Sequence, residues 1–161
     1  MTERLRGHGI SCALLPGWDI RIERRAESPV PVPGSTEPMG GSTYPVLHAG
    51  TSPLPARRGD YGSGYVETMT PADVFVCLSE FDPYDGIEDM FESGMTPPLR
   101  ANDFHPDAQQ RVIAGMCGAQ RFFATRRRAF GLYVVLGSWL QRVPLVDRAN
   151  QLLSTIEIDL R

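Results

Sequence analysis

The chain contains no lysine: all 16 of its basic residues are arginine. This absence excludes a phosphate-binding P-loop, a Schiff-base lysine and the lysine of a protein-kinase fold. We interpret the bias as codon usage in a GC-rich bacterial genome, because the arginines are scattered apart from short clusters. With a net charge of −3, the chain also lacks the overall positive field that attracts nucleic acid or anionic lipid.

The sequence also lacks a long apolar run. Its most apolar stretch, Phe130 to Leu140, is far shorter than the ~20 residues that span a bilayer, and the N-terminus has no apolar segment typical of a secretory signal. Cys12, Cys77 and Cys117 are odd in number and widely separated, which is typical of buried thiols in a reducing compartment. We therefore predict a cytoplasmic protein without a membrane span.

Spacings typical of metal sites are missing. His8, His48 and His105 lie far apart, and no Cys-x-x-Cys or His-x-x-x-His pair occurs. The acidic stretch from Asp82 to Glu92 lacks the alternating carboxylates of a calcium-binding loop. We predict no metal and no cofactor.

No nucleophile motif is present either. The stretch Tyr61 to Tyr65 reads "YGSGY", which is not Gly-x-Ser-x-Gly, and mid-strand Cys77 is expected to be buried and inert. Cys117 is the better candidate for an accessible thiol, because glycines lie close to it on both sides. We assign no catalytic residue.

The apolar residues that are present predict an α+β fold: a mostly antiparallel β-sheet with a C-terminal helix packed on one face. "DVFVCLSEF" is apolar on both faces, so we place it centrally in a covered sheet. The helix is predicted from Pro144 to Ser154, where the apolar residues have helical spacing and centre on Leu152. Strands are predicted near residues 10–24, 44–50, 74–81, 120–124 and 129–137.

We interpret residues 1–161 as one domain. Its start, "ISCALL" followed by "PGW" and "DIRIERR", predicts an opening β-hairpin or one strand bent at Pro16, and "TIEIDL" predicts a short final strand. Residues 26–43 contain four prolines and three glycines and predict a flexible loop. Residues 82–110 are irregular and include a possible short helix, "GIEDMFESG".

The stretch from Leu54 to Met69, "LPARRGDYGSGYVETM", allows several interpretations. Its Arg-Gly-Asp tripeptide would act in adhesion only outside the cell. Its glycines have the wrong order for a dinucleotide-binding fingerprint, and a strand is expected to follow them. We therefore predict an ordinary hairpin turn with exposed side chains, and the alternative hypothesis is that these side chains contact a partner; the residues concerned are Arg57, Arg58, Asp60 and Tyr61.

A second basic turn is predicted between the last two long strands, at Arg126, Arg127 and Arg128. Arginines on a turn bind carboxylate or phosphate groups, although charges at a hairpin tip are often simply solvated. The neighbouring phenylalanines are expected in the core, so a stacking platform for single-stranded nucleic acid is not expected. Trp18 and Trp139 are predicted to pack at the rim of the core, with an interface role as the alternative.

The order of "LPGW", "PVLHAG", "DVFVCLSEF", "RAFGLYVVLGS" and "LVDRANQLLSTIEI" resembles small actinobacterial domains with a PsbP-like α/β arrangement. In those domains a late strand precedes a helix that ends in Leu-Leu-x-x-Ile, which corresponds here to Leu152, Leu153 and Ile156. The resemblance covers about two thirds of the chain and includes no catalytic signature. It implies an accessory or binding module.

Two functions follow from these observations. The first is a non-enzymatic interaction module that binds a protein partner and no nucleic acid. The alternative is a small-molecule-binding protein or an enzyme with a site in the cleft between sheet and helix, lined at one end by His48, Arg57 and Asp60.

Overall fold

The computed structural model describes residues 2–24, 44–81, 92–94 and 98–160. Among them, the larger sheet contains β3 (Asp19–Arg24), β4 (Pro45–Gly50), β5 (Val74–Phe81), β6 (Glu92–Ser93), β7 (Cys117–Thr125) and β8 (Arg128–Leu136). A smaller sheet contains β1 (Arg4–Gly7), β2 (Ile10–Ala13) and β9 (Glu157–Ile158), and one α-helix, α1, extends over Arg142–Leu153. The predicted loop at 26–43 and most of the predicted helix at 86–94 lie outside the described residues.

The larger sheet has the order β3-β4-β5-β8-β7-β6 and is antiparallel except at the β6–β7 pair. Strand β5 lies inside it, as predicted, because its side chains are apolar on both faces. Val74, Val76 and Leu78 belong to the core under α1, whereas Phe75 and Cys77 belong to a second core on the opposite face. The predicted α+β class is confirmed.

Helix α1 covers the first of these cores. It buries an apolar face centred on Leu152, which has no exposed surface, as predicted. The helix begins two residues before Pro144, which occupies the first turn, where a missing N–H removes no helical hydrogen bond. The Ser138 hydroxyl accepts a hydrogen bond from the Gln141 N–H just before the helix. Within the described residues, no helix is long and apolar enough to cross a membrane.

The chain does not open with the predicted hairpin of β2 and β3, nor with a single bent strand. Strand β2 pairs with β1 on one side, through a turn at His8–Gly9, and with β9 on the other. Both edges of β2 are therefore occupied, so β3 pairs with β4 in the other sheet. The apolar pattern located both strands correctly but carried no information about their partners.

The connection between β4 and β5 is not the predicted tight turn followed by a strand. It folds back over the sheet and contains a 3-10 helix at Val66–Thr68. Tyr65 is fully buried against Phe75, with ring centroids 5.5 Å apart. Its hydroxyl lies so close to Gly50 that a Cβ there would be 2.6 Å away, so this packing requires glycine. The connection thus forms the cover of the second core.

Candidate functional site

Arg126 and Arg127 form the two-residue turn between β7 and β8, and both are exposed. Their φ angles are 53° and 60°, the positive values of a type I′ turn. Such turns favour Asn-Gly, and the left-handed conformation costs other L-residues roughly 1–2 kcal/mol each. We call this turn the arginine tip. It displays two guanidinium groups, although its backbone conformation favours Asn and Gly over arginine.

Arg128 does not belong to this exposed group, so the expectation of three exposed arginines is wrong for it. Its side chain is 2% exposed and forms an ion pair at 2.8 Å with fully buried Glu80. The guanidinium also donates to the carbonyl oxygens of His8, Gly9 and Asp159. Because Arg128 begins β8 rather than lying in the turn, its side chain points into the protein.

The loop residues Arg57 and Arg58 also differ from the prediction of a shared exposed tip. Arg57 is exposed, whereas the Arg58 side chain is only 5% exposed. Arg58 donates from Nε to His48 Nδ1 at 2.8 Å and from a terminal nitrogen to the Pro55 carbonyl at 2.8 Å. It also pairs with Glu23 at 3.2 Å. Arg58 is therefore part of the fold.

His48 links this loop to the sheet. Since Nδ1 accepts from Arg58, Nε2 carries the proton and donates to the Asp60 carbonyl at 2.7 Å. The thiol of Cys77, the residue opposite His48 in the ladder, donates to the same oxygen at 2.9 Å. Burial lowers the pKa of His48, and the Arg58 charge lowers it further against the raising effect of the Asp60 bond. Both ring nitrogens are engaged, so this neutral imidazole acts as an anchor.

Asp60 and Tyr61 are half-buried rather than displayed at a tip. Tyr61 packs edge-on against Tyr133 of β8, with ring centroids 5.7 Å apart. The prediction that His48 and Asp60 line a cleft between the sheet and the helix is also wrong. Val46, Cys77 and Tyr133 belong to the core opposite α1, and His48 and the loop pack on that same face.

The prediction of an accessible thiol at Cys117 is wrong. All three cysteines are buried and form no disulfide, and burial raises the Cys117 pKa to about 11, although Arg142 opposes the shift. The neighbouring glycine permits close packing instead of access: a Cβ at Gly118 would lie 2.5 Å from the Ala108 carbonyl oxygen. Burial likewise raises the pKa of the Cys12 thiol. Burial therefore favours the protonated form of both thiols, which is the less nucleophilic form.

Within the described ranges, no three His, Cys, Asp or Glu side chains are grouped to hold a metal ion. Trp18 and Trp139 pack at the rim of the first core, as predicted. Each also has an arginine over its ring, Arg148 on Trp18 and Arg142 on Trp139. These contacts account for both tryptophans structurally.

Sequence reasoning missed a small cavity of about 120 Å³ between the β4–β5 connection and the segment before β7. Its lining consists of Tyr61, Ser63, Val66, Glu67, Gln109, Gln110, Arg111, Tyr133 and Val135. The available signal was Tyr133 itself, because a phenol inside the apolar run "FGLYVVL" needs a polar partner when it is buried.

Comparison of the chain with protein-family models, curated proteins and solved structures found no match. The resemblance to PsbP-like actinobacterial domains thus stays a prediction.

Proposed function

We propose that the protein is a non-enzymatic interaction module that binds a protein partner through the arginine tip, Arg126 and Arg127. The observation that carries this proposal is the pair of exposed arginines held at positive φ. Backbone conformations that cost energy tend to occur at functional positions, and two adjacent guanidinium groups suit bidentate binding of carboxylates. The expected partner surface is rich in Asp and Glu.

The polar groups elsewhere support binding rather than chemistry. His48 and Arg58 are engaged in anchoring a loop, and Arg128 is engaged with Glu80. Exposed Arg57 remains a further candidate contact. Asp60, Tyr61 and Arg58 contribute by holding the loop that presents it. Three cysteines that form no disulfide support a cytoplasmic location, and the net charge of −3 favours a protein partner over nucleic acid.

The test is quantitative capture from an extract of the source cells with three immobilised proteins. These are the wild type, the tip variant Arg126→Asn/Arg127→Gly and a control variant, Arg6→Gln/Arg21→Gln. The control also removes two positive charges, but at exposed positions away from the tip. We expect a protein that the wild type and the control retain and the tip variant loses. The purified partner should then bind the tip variant about tenfold or more weakly. Equal affinity of all three proteins would refute the proposal.

A second function, small-molecule binding, is favoured by one observation: the cavity beside Tyr133. It lies on the sheet face opposite α1, unlike the predicted cleft. Binding in this cavity does not depend on the arginine tip.

A further inference from the structure

The cavity beside Tyr133 has an apolar floor and a charged mouth. Tyr61, Val66, Tyr133 and Val135 supply the floor. Glu67 and Arg111 are also in its lining and are far more exposed than Tyr133, with side-chain exposures of 34% and 78%. This combination of apolar walls with a few convergent polar groups is typical of small-ligand sites.

Tyr133 brings an unused donor to this floor. The residue is 3% exposed, and its hydroxyl oxygen accepts a hydrogen bond from the Gln110 N–H at 2.8 Å. Among the described residues, none accepts the hydroxyl proton in return. Burial raises the Tyr133 pKa, so that proton is retained at neutral pH. The hydroxyl proton is therefore available in the cavity to a ligand that presents an oxygen.

The mouth offers one charge of each sign. Glu67 is held in place, because its carboxylate accepts the Gly64 N–H at 2.7 Å. Arg111 contacts the other Glu67 oxygen only at 3.9 Å. An exposed ion pair at this distance contributes little, so a ligand can separate the two groups at low cost. A ligand with both a cation and an anion would satisfy each of them.

We propose that this cavity binds a small zwitterion, an α-amino acid of the size of glycine or alanine. In this arrangement Glu67 receives the ammonium group, Arg111 and the Tyr133 hydroxyl receive the carboxylate, and Val66 and Val135 contact the Cα substituent. The size limit follows from volume. A cavity of about 150 Å³ holds benzene, which has six non-hydrogen atoms, so a cavity of ~120 Å³ admits about five, the size of glycine, with alanine at the upper limit.

The test is titration of the full chain with glycine and alanine, followed by the amide signals of Gly64, Glu67 and Gln110 in NMR spectra. We expect saturable shifts of these signals. Acetate and methylammonium each carry only one of the two charges, and leucine exceeds the cavity, so all three should bind about tenfold or more weakly. Absence of saturable shifts with both glycine and alanine, or equal binding of acetate, would overturn the proposal.

Variants identify the groups involved. Tyr133→Phe and Arg111→Gln should each weaken binding about tenfold, whereas Arg6→Gln, which removes an exposed charge elsewhere, should leave it unchanged. Melting curves check that each variant is folded, and Arg111→Gln keeps the test valid if Tyr133→Phe is unstable. Unchanged binding in a folded Arg111→Gln variant would contradict the assignment. The arginine-tip variant should bind the amino acid normally, which separates this proposal from the partner-binding proposal.

Discussion

Arg128 and Glu80 form a buried, bidentate ion pair at the start of β8 and near the end of β5, with Nε to Oε1 at 3.0 Å and a terminal nitrogen to Oε2 at 2.8 Å. The remaining guanidinium donors bind the carbonyls of the His8–Gly9 turn and of Asp159. One side chain thereby joins the larger sheet to the smaller one. The pairing explains why a residue beside an exposed basic turn is itself inaccessible.

Arg128→Ala should lower the free energy of unfolding by about 3–5 kcal/mol, because it removes the bidentate counter-charge of a fully buried carboxylate. Arg128→Lys should restore little, since an ammonium group lacks the planar fork that reaches both carboxylate oxygens and three carbonyls. Urea denaturation measures both effects. Arg127→Ala is the matched control and should change stability by less than about 1 kcal/mol. A similar loss in the control would contradict the assigned roles.

Arg57 and Arg58 should differ sharply although they are neighbours. Arg57→Ala should leave thermal stability nearly unchanged, because the residue is exposed. Arg58→Ala should cost about 1–3 kcal/mol, because it leaves the Pro55 carbonyl and His48 Nδ1 without their donor. Thermal and urea unfolding of the two variants provide the comparison. Equal melting temperatures would show that the Arg58 contacts do not stabilise the fold.

The pH dependence of stability should contain a contribution from His48. Its pKa lies below the ordinary value of 6.5, chiefly because burial removes water from the charged ring. The unfolded chain therefore binds the proton more readily. The contribution of His48 to the free energy of unfolding is fully present above about pH 6.5. It decreases as the pH falls below that value, by at most about 1.4 kcal/mol per pH unit. Urea unfolding between pH 7 and 5 should show that the free energy of unfolding depends less steeply on pH in His48→Asn than in the wild type. The same pH dependence in both proteins would contradict this prediction.

Leu152→Ala should destabilise the protein by about 2–5 kcal/mol, through lost burial and the cavity that remains under α1. The residue has no exposed surface. Leu140, which is 86% exposed, provides the control, and Leu140→Ala should change stability by about 0.5 kcal/mol or less. The measurement is urea denaturation of both variants. A loss below about 0.5 kcal/mol for Leu152→Ala would mean that the helix does not pack on this face.

The turn variant Arg126→Asn/Arg127→Gly should raise the free energy of unfolding by about 1–2 kcal/mol, because Asn and Gly adopt positive φ more readily than arginine. The melting temperature of the variant measures the gain. Arg6→Gln/Arg21→Gln tests whether the gain arises only from lower positive charge, and it should show no comparable increase. A less stable turn variant would mean that the arginine side chains support the fold.

Local sequence patterns were sufficient to locate most of the described elements. Strand β5 was predicted at residues 74–81 and is observed there, and the helix prediction differed from α1 by two residues at its start and one at its end. These elements follow from local periodicity, because an element that buries one face or both must repeat apolar residues with its own geometry. The same information missed β1, whose burial pattern is mixed.

Which polar residues are accessible depends on contacts between distant parts of the chain. Arg127 and Arg128 are adjacent and identical, yet one is exposed and the other is buried against Glu80, a residue 48 positions earlier in the chain. Cys117 is likewise buried, and the backbone at Ala108 packs against the neighbouring Gly118. The residues that flank Cys117 in the sequence do not predict this contact. The physical reason is that local pattern fixes the conformation of a segment, whereas exposure and pKa depend on chain segments that arrive from far away in the sequence.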